Sequence, residues 1–130
     1  MSSKPKLLVI EDEDAIINIM RINFEMEGFE VFGCSKSLQG LRECLIELPD
    51  IIILDLLMPE ESGWEVLREL KSNPVTRDIP VIICSVIKKE EEKERTLQMG
   101  AAAYVTKPFE IHELMEMAEK LIGWKVNSSN

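Results

Sequence analysis

The sequence predicts an α/β fold, a five-stranded parallel sheet with helices on both faces. Five short apolar runs alternate with five segments of helical periodicity along the 130 residues, the order that parallel crossovers require. Runs one, three and four are almost wholly apolar and rich in Ile and Val, as strands covered on both faces are. A Gly or Pro stands where each helical segment must stop.

The first run, Lys6 to Ile10, leads into a helix from about Asp14 to Glu27. Ile16, Ile19, Met20 and Phe24 share one face of it, and Gly28 supplies the positive-φ stop. The second run, Glu30 to Cys34, precedes a helix from about Leu38 to Leu48 that ends before Pro49. The third run, Ile51 to Leu54, precedes a helix starting near Ser62, carrying Val66, Leu67 and Leu70 and ending at Asn73-Pro74. The fourth, Val81 to Cys84, precedes a highly charged helix from about Lys89 to Met99, closed by Gly100. The fifth, Ala103 to Thr106, precedes a helix from about Ile111 to Ile122, closed by Gly123.

Length and composition narrow the function classes. One compact domain, residues 5–124, followed by a short polar tail, 125–130, fits the length. The net charge of −9 and the lack of a Lys/Arg stripe argue against nucleic-acid binding. No apolar run approaches a membrane span, and the N-terminus lacks the features of a signal peptide. Three cysteines, Cys34, Cys44 and Cys84, form no CxxC pair and are expected as reduced thiols in a cytosol.

Ligand sites in such a sheet lie off the carboxyl ends of the strands. There the chain places Glu11 and Asp12 after strand one, Asp55 after strand three, Ser85 after strand four and Lys107-Pro108 after strand five. Any one of these is ordinary loop chemistry, but together they are a site. Close carboxylates repel one another and resist ionising, and a divalent cation relieves this. Hard oxygen ligands without a His or Cys partner suit Mg²⁺ or Mn²⁺ rather than zinc.

Four ordered blocks resemble the receiver domain of two-component response regulators. They are Glu11-Asp12-Glu13, the stretch from Asp50 through Asp55 to Gly63, Pro80 to Ser85, and Gly100 to Phe109. The resemblance covers about Lys6 to Ile122. It implies a flavodoxin-like doubly wound fold with strand order 2-1-3-4-5.

By that resemblance Asp55 is the phosphoacceptor. It takes a phosphoryl group from the phosphohistidine of a histidine kinase or phosphotransfer protein. Asp12, Asp55 and the backbone carbonyl of Leu57 would hold Mg²⁺. Glu11, a less usual choice than Asp at its position, would act through a water or directly. Lys107 would pair with Asp55 at rest and with a phosphoryl oxygen afterwards, across a cis Lys107-Pro108 bond. Ser85 and Tyr104 would form the switch that alters the face of helix four, strand five and helix five for a downstream target or output domain. Without the resemblance, Tyr104 reads as a strand-edge aromatic with a solvated hydroxyl. Bulky Leu57, Val86 and Ile87 are expected either to screen Asp55 from water or merely to pack together. A second apolar stripe on the first helix, Ala15, Ile22 and Met26 beside Ile19, is either a wide core seam or a dock for the partner's helix bundle.

Two other functions compete. An aspartate-nucleophile phosphohydrolase usually carries a second acid two residues beyond its nucleophile, and Leu57 stands there. A module of this fold that never takes a phosphoryl group is at odds with the intact Asp55, Ser85 and Lys107. His112, the single histidine, reads as solvated. The Lys88 to Arg95 run reads as a solvated face with i,i+4 pairs, or part of a dimer or output surface. Trp64 and Trp124 are expected over helix ends, and Cys84 as a core thiol. Whether the domain stands alone, belongs to a larger regulator or forms a homodimer is open at this level.

Overall fold

A computed structural model describes residues 4–59 and 62–123. Its elements run β1 (Lys6–Ile10), α1 (Asp14–Met26), β2 (Glu30–Cys34), α2 (Ser37–Glu47), β3 (Ile51–Leu54), α3 (Gly63–Ser72), β4 (Val81–Ser85), α4 (Glu90–Gln98), β5 (Ala103–Thr106) and α5 (Ile111–Ile122). The strands form one parallel sheet in the order β2-β1-β3-β4-β5. Trp124 and the tail lie outside the described residues.

Every residue of β3 and β4 is buried, as expected for strands made of Ile, Leu, Val and Cys up to the polar Ser85 at the end of β4. Their alternating side chains feed two cores. Leu7, Val9, Ile51, Ile53 and Ile82 meet α1 and α5 on one face. Leu8, Ile10, Ile52, Leu54 and Ile83 meet α2 and α3 on the other.

Element ends follow local chemistry. The Ser62 side chain accepts the Trp64 amide at 3.1 Å and caps α3. Gly28, Gly100 and Gly123 all have positive φ. α2 begins and ends one residue earlier than its apolar pattern suggests. Leu48 takes the left-handed conformation, φ 48°, while its amide still donates to the Cys44 carbonyl. Pro49 behind it disfavours the helical well, which explains a strained non-glycine cap.

The face of α1 also differs from the expected one. Ile17, Met20 and Phe24 form its buried seam, Ile16 is partly covered, and Ile19 is 45% exposed. The edge-on contact of Phe24 with Phe29 sets the helix rotation, and steps of four and then three back from Phe24 select Met20 and Ile17. Ala15, Ile19, Ile22 and Met26 all face solvent, so the second stripe is not a core seam.

Candidate functional site

Strand register assembles the site. β1 pairs Ile10 with Leu54 and with Cys34, so the residues that follow leave the sheet side by side. The ladder continues one step beyond the strands. The Asp55 amide donates to the Ile10 carbonyl at 3.0 Å, the Glu11 amide to Cys34 at 2.9 Å, and the Lys107 amide to Ser85 at 2.8 Å. β4 itself extends to Ser85, opposite Thr106.

Glu11, Asp12 and Asp55 each offer a carboxylate oxygen, all within 4.8 Å of one another. Three hard oxygens at that spacing fit Mg²⁺ or Mn²⁺ chemistry. Glu11 and Asp55 are buried, while Asp12 is more open and lines a cavity of about 470 Å³ with Ser35, Lys36, Met58 and Pro59. Asp12 is therefore the open member of the cluster, and Asp55, like Glu11, is nearly closed to solvent. The Leu57 amide donates to Asp55 Oδ1 at 3.1 Å and fixes the carboxyl plane.

Lys107, 9% exposed, reaches into this cluster. Its Nζ lies 2.8 Å from Glu11 Oε1, 3.3 Å from Asp55 Oδ2 and 3.5 Å from Glu13 Oε1. The expected pairing with Asp55 is present, yet Glu11 is the closer partner. Its longer arm makes the difference. Glu13 is a member that sequence reasoning quoted but gave no role. Its amide also donates to Glu11 Oε2 at 3.1 Å. The usable signal was its place two residues beyond Glu11 in an extended segment.

These contacts move the proton affinities. Burial pushes the Glu11 carboxyl up to about 7 against the pull of Lys107, with Asp55 adding repulsion. Burial also raises Asp55, opposed by the Leu57 amide and Lys107 and reinforced by Asp12. Burial disfavours the Lys107 charge, but Glu11 and then Asp55 outweigh it and hold the ammonium above its usual range.

Ser85 is fully buried, and its Oγ accepts the Ile87 amide at 3.2 Å. Tyr104 is half-buried, and its hydroxyl donates to the Ile87 carbonyl at 2.7 Å, so that hydroxyl is not simply solvated. Both candidate switch residues thus hold the same residue of the β4–α4 connection. The Lys107-Pro108 bond is cis. Leu57 and Val86 stand half-exposed, and Ile87 packs against the core beneath α2 and α3.

The remaining residues fall largely where the sequence places them. His112 is exposed, and all three cysteines are free and buried, with burial pushing Cys84 up to about 12. Trp64 carries Arg95 over its ring at 4.3 Å, which joins α3 to α4. The ion pair on α4, Arg95 with Glu92, has i,i+3 rather than i,i+4 spacing.

The model of the response regulator receiver domain matches residues 7–119. The chain belongs to that family. It is 38% identical over 118 residues to the phosphate regulon transcriptional regulatory protein PhoB of Rhizobium meliloti, covering 91% of this chain and 52% of that protein. It is 39% identical over 108 residues to the KDP operon transcriptional regulatory protein KdpE of Escherichia coli, covering 83% and 47%. The receiver domain of the Francisella response regulator 1452 superposes with a TM-score of 0.86 at 30% identity, covering 92% of this chain and 98% of that one. This receiver domain spans about half the length of the curated relatives it matches. Among the described residues no helix is long and apolar enough to cross a membrane.

Proposed function

We propose that this receiver domain takes a phosphoryl group onto Asp55 from a phosphohistidine on a histidine kinase or phosphotransfer protein. The observation that carries this is the gathering of Glu11, Asp12 and Lys107 around the Asp55 carboxyl group. An Asp55 oxygen forms the new bond to phosphorus as the phosphorus–nitrogen bond breaks and the imidazole leaves. The product is an acyl phosphate.

Glu11, Asp12, Asp55 and the Leu57 carbonyl would hold Mg²⁺, or Mn²⁺ in its place. The ion, when bound, neutralises charge on the phosphoryl oxygens. Lys107 exchanges its carboxylate contacts for a phosphoryl oxygen, a charge-assisted bond. Ser85 leaves the Ile87 amide to donate to another phosphoryl oxygen, and Tyr104 follows the β4–α4 connection. The face of α4, β5 and α5 then changes for a downstream target or output domain. The domain is an acceptor rather than a turnover enzyme, because position 57, two beyond the nucleophile, is Leu. A cytoplasmic setting suits its free buried thiols, and the domain itself touches neither nucleic acid nor membrane. Residues 5–124 form the working unit.

The exposed α1 stripe is the dock for the phosphohistidine bundle. A groove of about 560 Å³ runs from Ile16 and Ile19 past Val86 to Glu13 and Lys107, joining the stripe to the site. Leu57 and Val86 form an apolar rim that slows attack by water on the acyl phosphate.

Intact-mass measurement after treatment with a small acyl phosphate and Mg²⁺ tests the reading. One phosphoryl group is expected on the wild type and none on Asp55→Asn or after chelation. Equal labelling of the Asn variant would refute it.

A further inference from the structure

α2 carries more apolar surface than its core seam uses. Its buried residues are Ser37, Gly40 and Cys44. Leu38, Leu41, Arg42 and Leu45 recur at i, i+3, i+4 and i+7 and form a second stripe along its flank. This stripe is one wall of a groove of about 220 Å³ between α2 and α3, with Glu69 and Leu70 on the α3 wall. Leu38 and Leu45 are 53% and 50% exposed, and Val75, next to the lining residue Thr76, is 59% exposed. A contiguous apolar patch left open to water marks a contact surface.

Two charges frame the groove and identify what covers it. Among the described residues Arg42 on the α2 wall and Glu69 on the α3 wall form no ion pair, with each other or with any neighbour. The charges around them are already engaged: Glu47 with Lys6, Arg68 with Glu65, and Lys71 with the carbonyls of Arg77 and Ile79. A partner segment of one charge sign would answer one of the two unpaired groups and leave the other bare. A second copy answers both. With a two-fold axis running along the groove, α2 of each copy lies over α3 of the other, and Arg42 of each faces Glu69 of the other. The apolar walls then close on one another, and two cross-copy pairs oppose the repulsion between copies of net charge −9.

We propose that the α2–α3 groove is the interface of a symmetric dimer of this chain, framed by Arg42–Glu69 pairs across the two-fold axis. The interface uses no residue of the α4–β5–α5 face. Leu38 also lines the cavity beside Asp12, so the interface ends at the rim of the phosphoacceptor site.

Sedimentation equilibrium of the full chain over a range of concentrations tests this. The mass should rise from that of one 14.9 kDa chain to twice that value and stop there. Arg42→Glu and Glu69→Arg, made singly, should each raise the dissociation constant about tenfold, because symmetry breaks two pairs at once. The swapped variant Arg42→Glu/Glu69→Arg should return it close to the wild-type value. Leu45→Lys should weaken association at least as much as either single charge reversal. Leu97→Lys, which places a charge on α4 instead, should leave it unchanged. Labelling of Asp55 by a small acyl phosphate with Mg²⁺ at the wild-type level shows that a variant that dissociates is still folded. A wild-type chain still of single mass at about 1 mM would overturn the proposal. So would growth past the dimer, failure of the swap to restore association, or equal weakening by Leu97→Lys.

Discussion

α3 and α4 flank the same site but are held in opposite ways. α3 buries Val66, Leu67 and Leu70, each contributing about 2 kcal/mol of transfer free energy. Its first residue, Gly63, presses onto the acceptor loop. A Cβ there would lie 2.3 Å from the Asp55 carbonyl oxygen and 2.5 Å from the Leu56 Cα. α4 buries Thr96 alone among its residues, and that hydroxyl bonds within its own helix. Otherwise Trp64 beneath Arg95 and the Ile87–Tyr104 bond tether that side. The contrast separates two tasks. The acceptor must be rigid to position a reacting carboxylate, whereas a signalling element must be cheap to move.

Substitutions can sharpen this contrast. The largest effect is expected at Lys107, whose loss leaves buried carboxylates unpaired. Lys107→Met should destabilise the metal-free domain by about 3 kcal/mol in urea unfolding. Added Mg²⁺ should recover much of that loss. Gly63→Ala should cost about 2 kcal/mol and slow Asp55 labelling, because the loop backbone must shift. On the mobile side, Arg95→Ala should cost only about 0.5 kcal/mol. If Arg95→Ala proves as damaging as Gly63→Ala, the division into a rigid and a movable side is wrong.

Glu11 supplies a pH test. Its carboxyl sits near 7 in the fold against an ordinary value of 4.5, so folding favours the protonated form. The stability this group contributes is present below 4.5 and is lost as pH rises to about 7. Unfolding of wild type and Glu11→Gln without metal, measured between those limits, should show wild type losing ground to the variant as pH rises. A constant difference would contradict the burial-driven shift.

Partner docking should show a smaller and more selective effect. Ile22→Glu on the exposed α1 stripe should slow phosphotransfer from a phosphohistidine bundle yet spare labelling by a small acyl phosphate. Equal loss in both assays would remove α1 as the dock.

Much of this was legible in the sequence because it depends on periodicity and on order along the chain. Apolar runs named the strands, and the residues following them named Glu11, Asp12, Asp55, Ser85 and Lys107. What escaped depends on distances between separate elements. The preference of Lys107 for Glu11 over Asp55 reflects side-chain reach across β1, β3 and β5. The exposure of Ile19 reflects a helix rotation set by Phe24 against Phe29. The wedge of Gly63 against Asp55 reflects a backbone approach that no spacing encodes. The bond of Tyr104 to Ile87 likewise required the β4–α4 connection to be seen folded.

The position of the acyl phosphate tests the central claim most directly. After treatment with a small acyl phosphate and Mg²⁺, borohydride reduction converts an aspartyl phosphate into homoserine, which peptide mapping locates. Homoserine at position 55 and nowhere else is the predicted result. Reduction at position 12, or no homoserine despite stoichiometric labelling, would contradict the assignment of Asp55 as the acceptor.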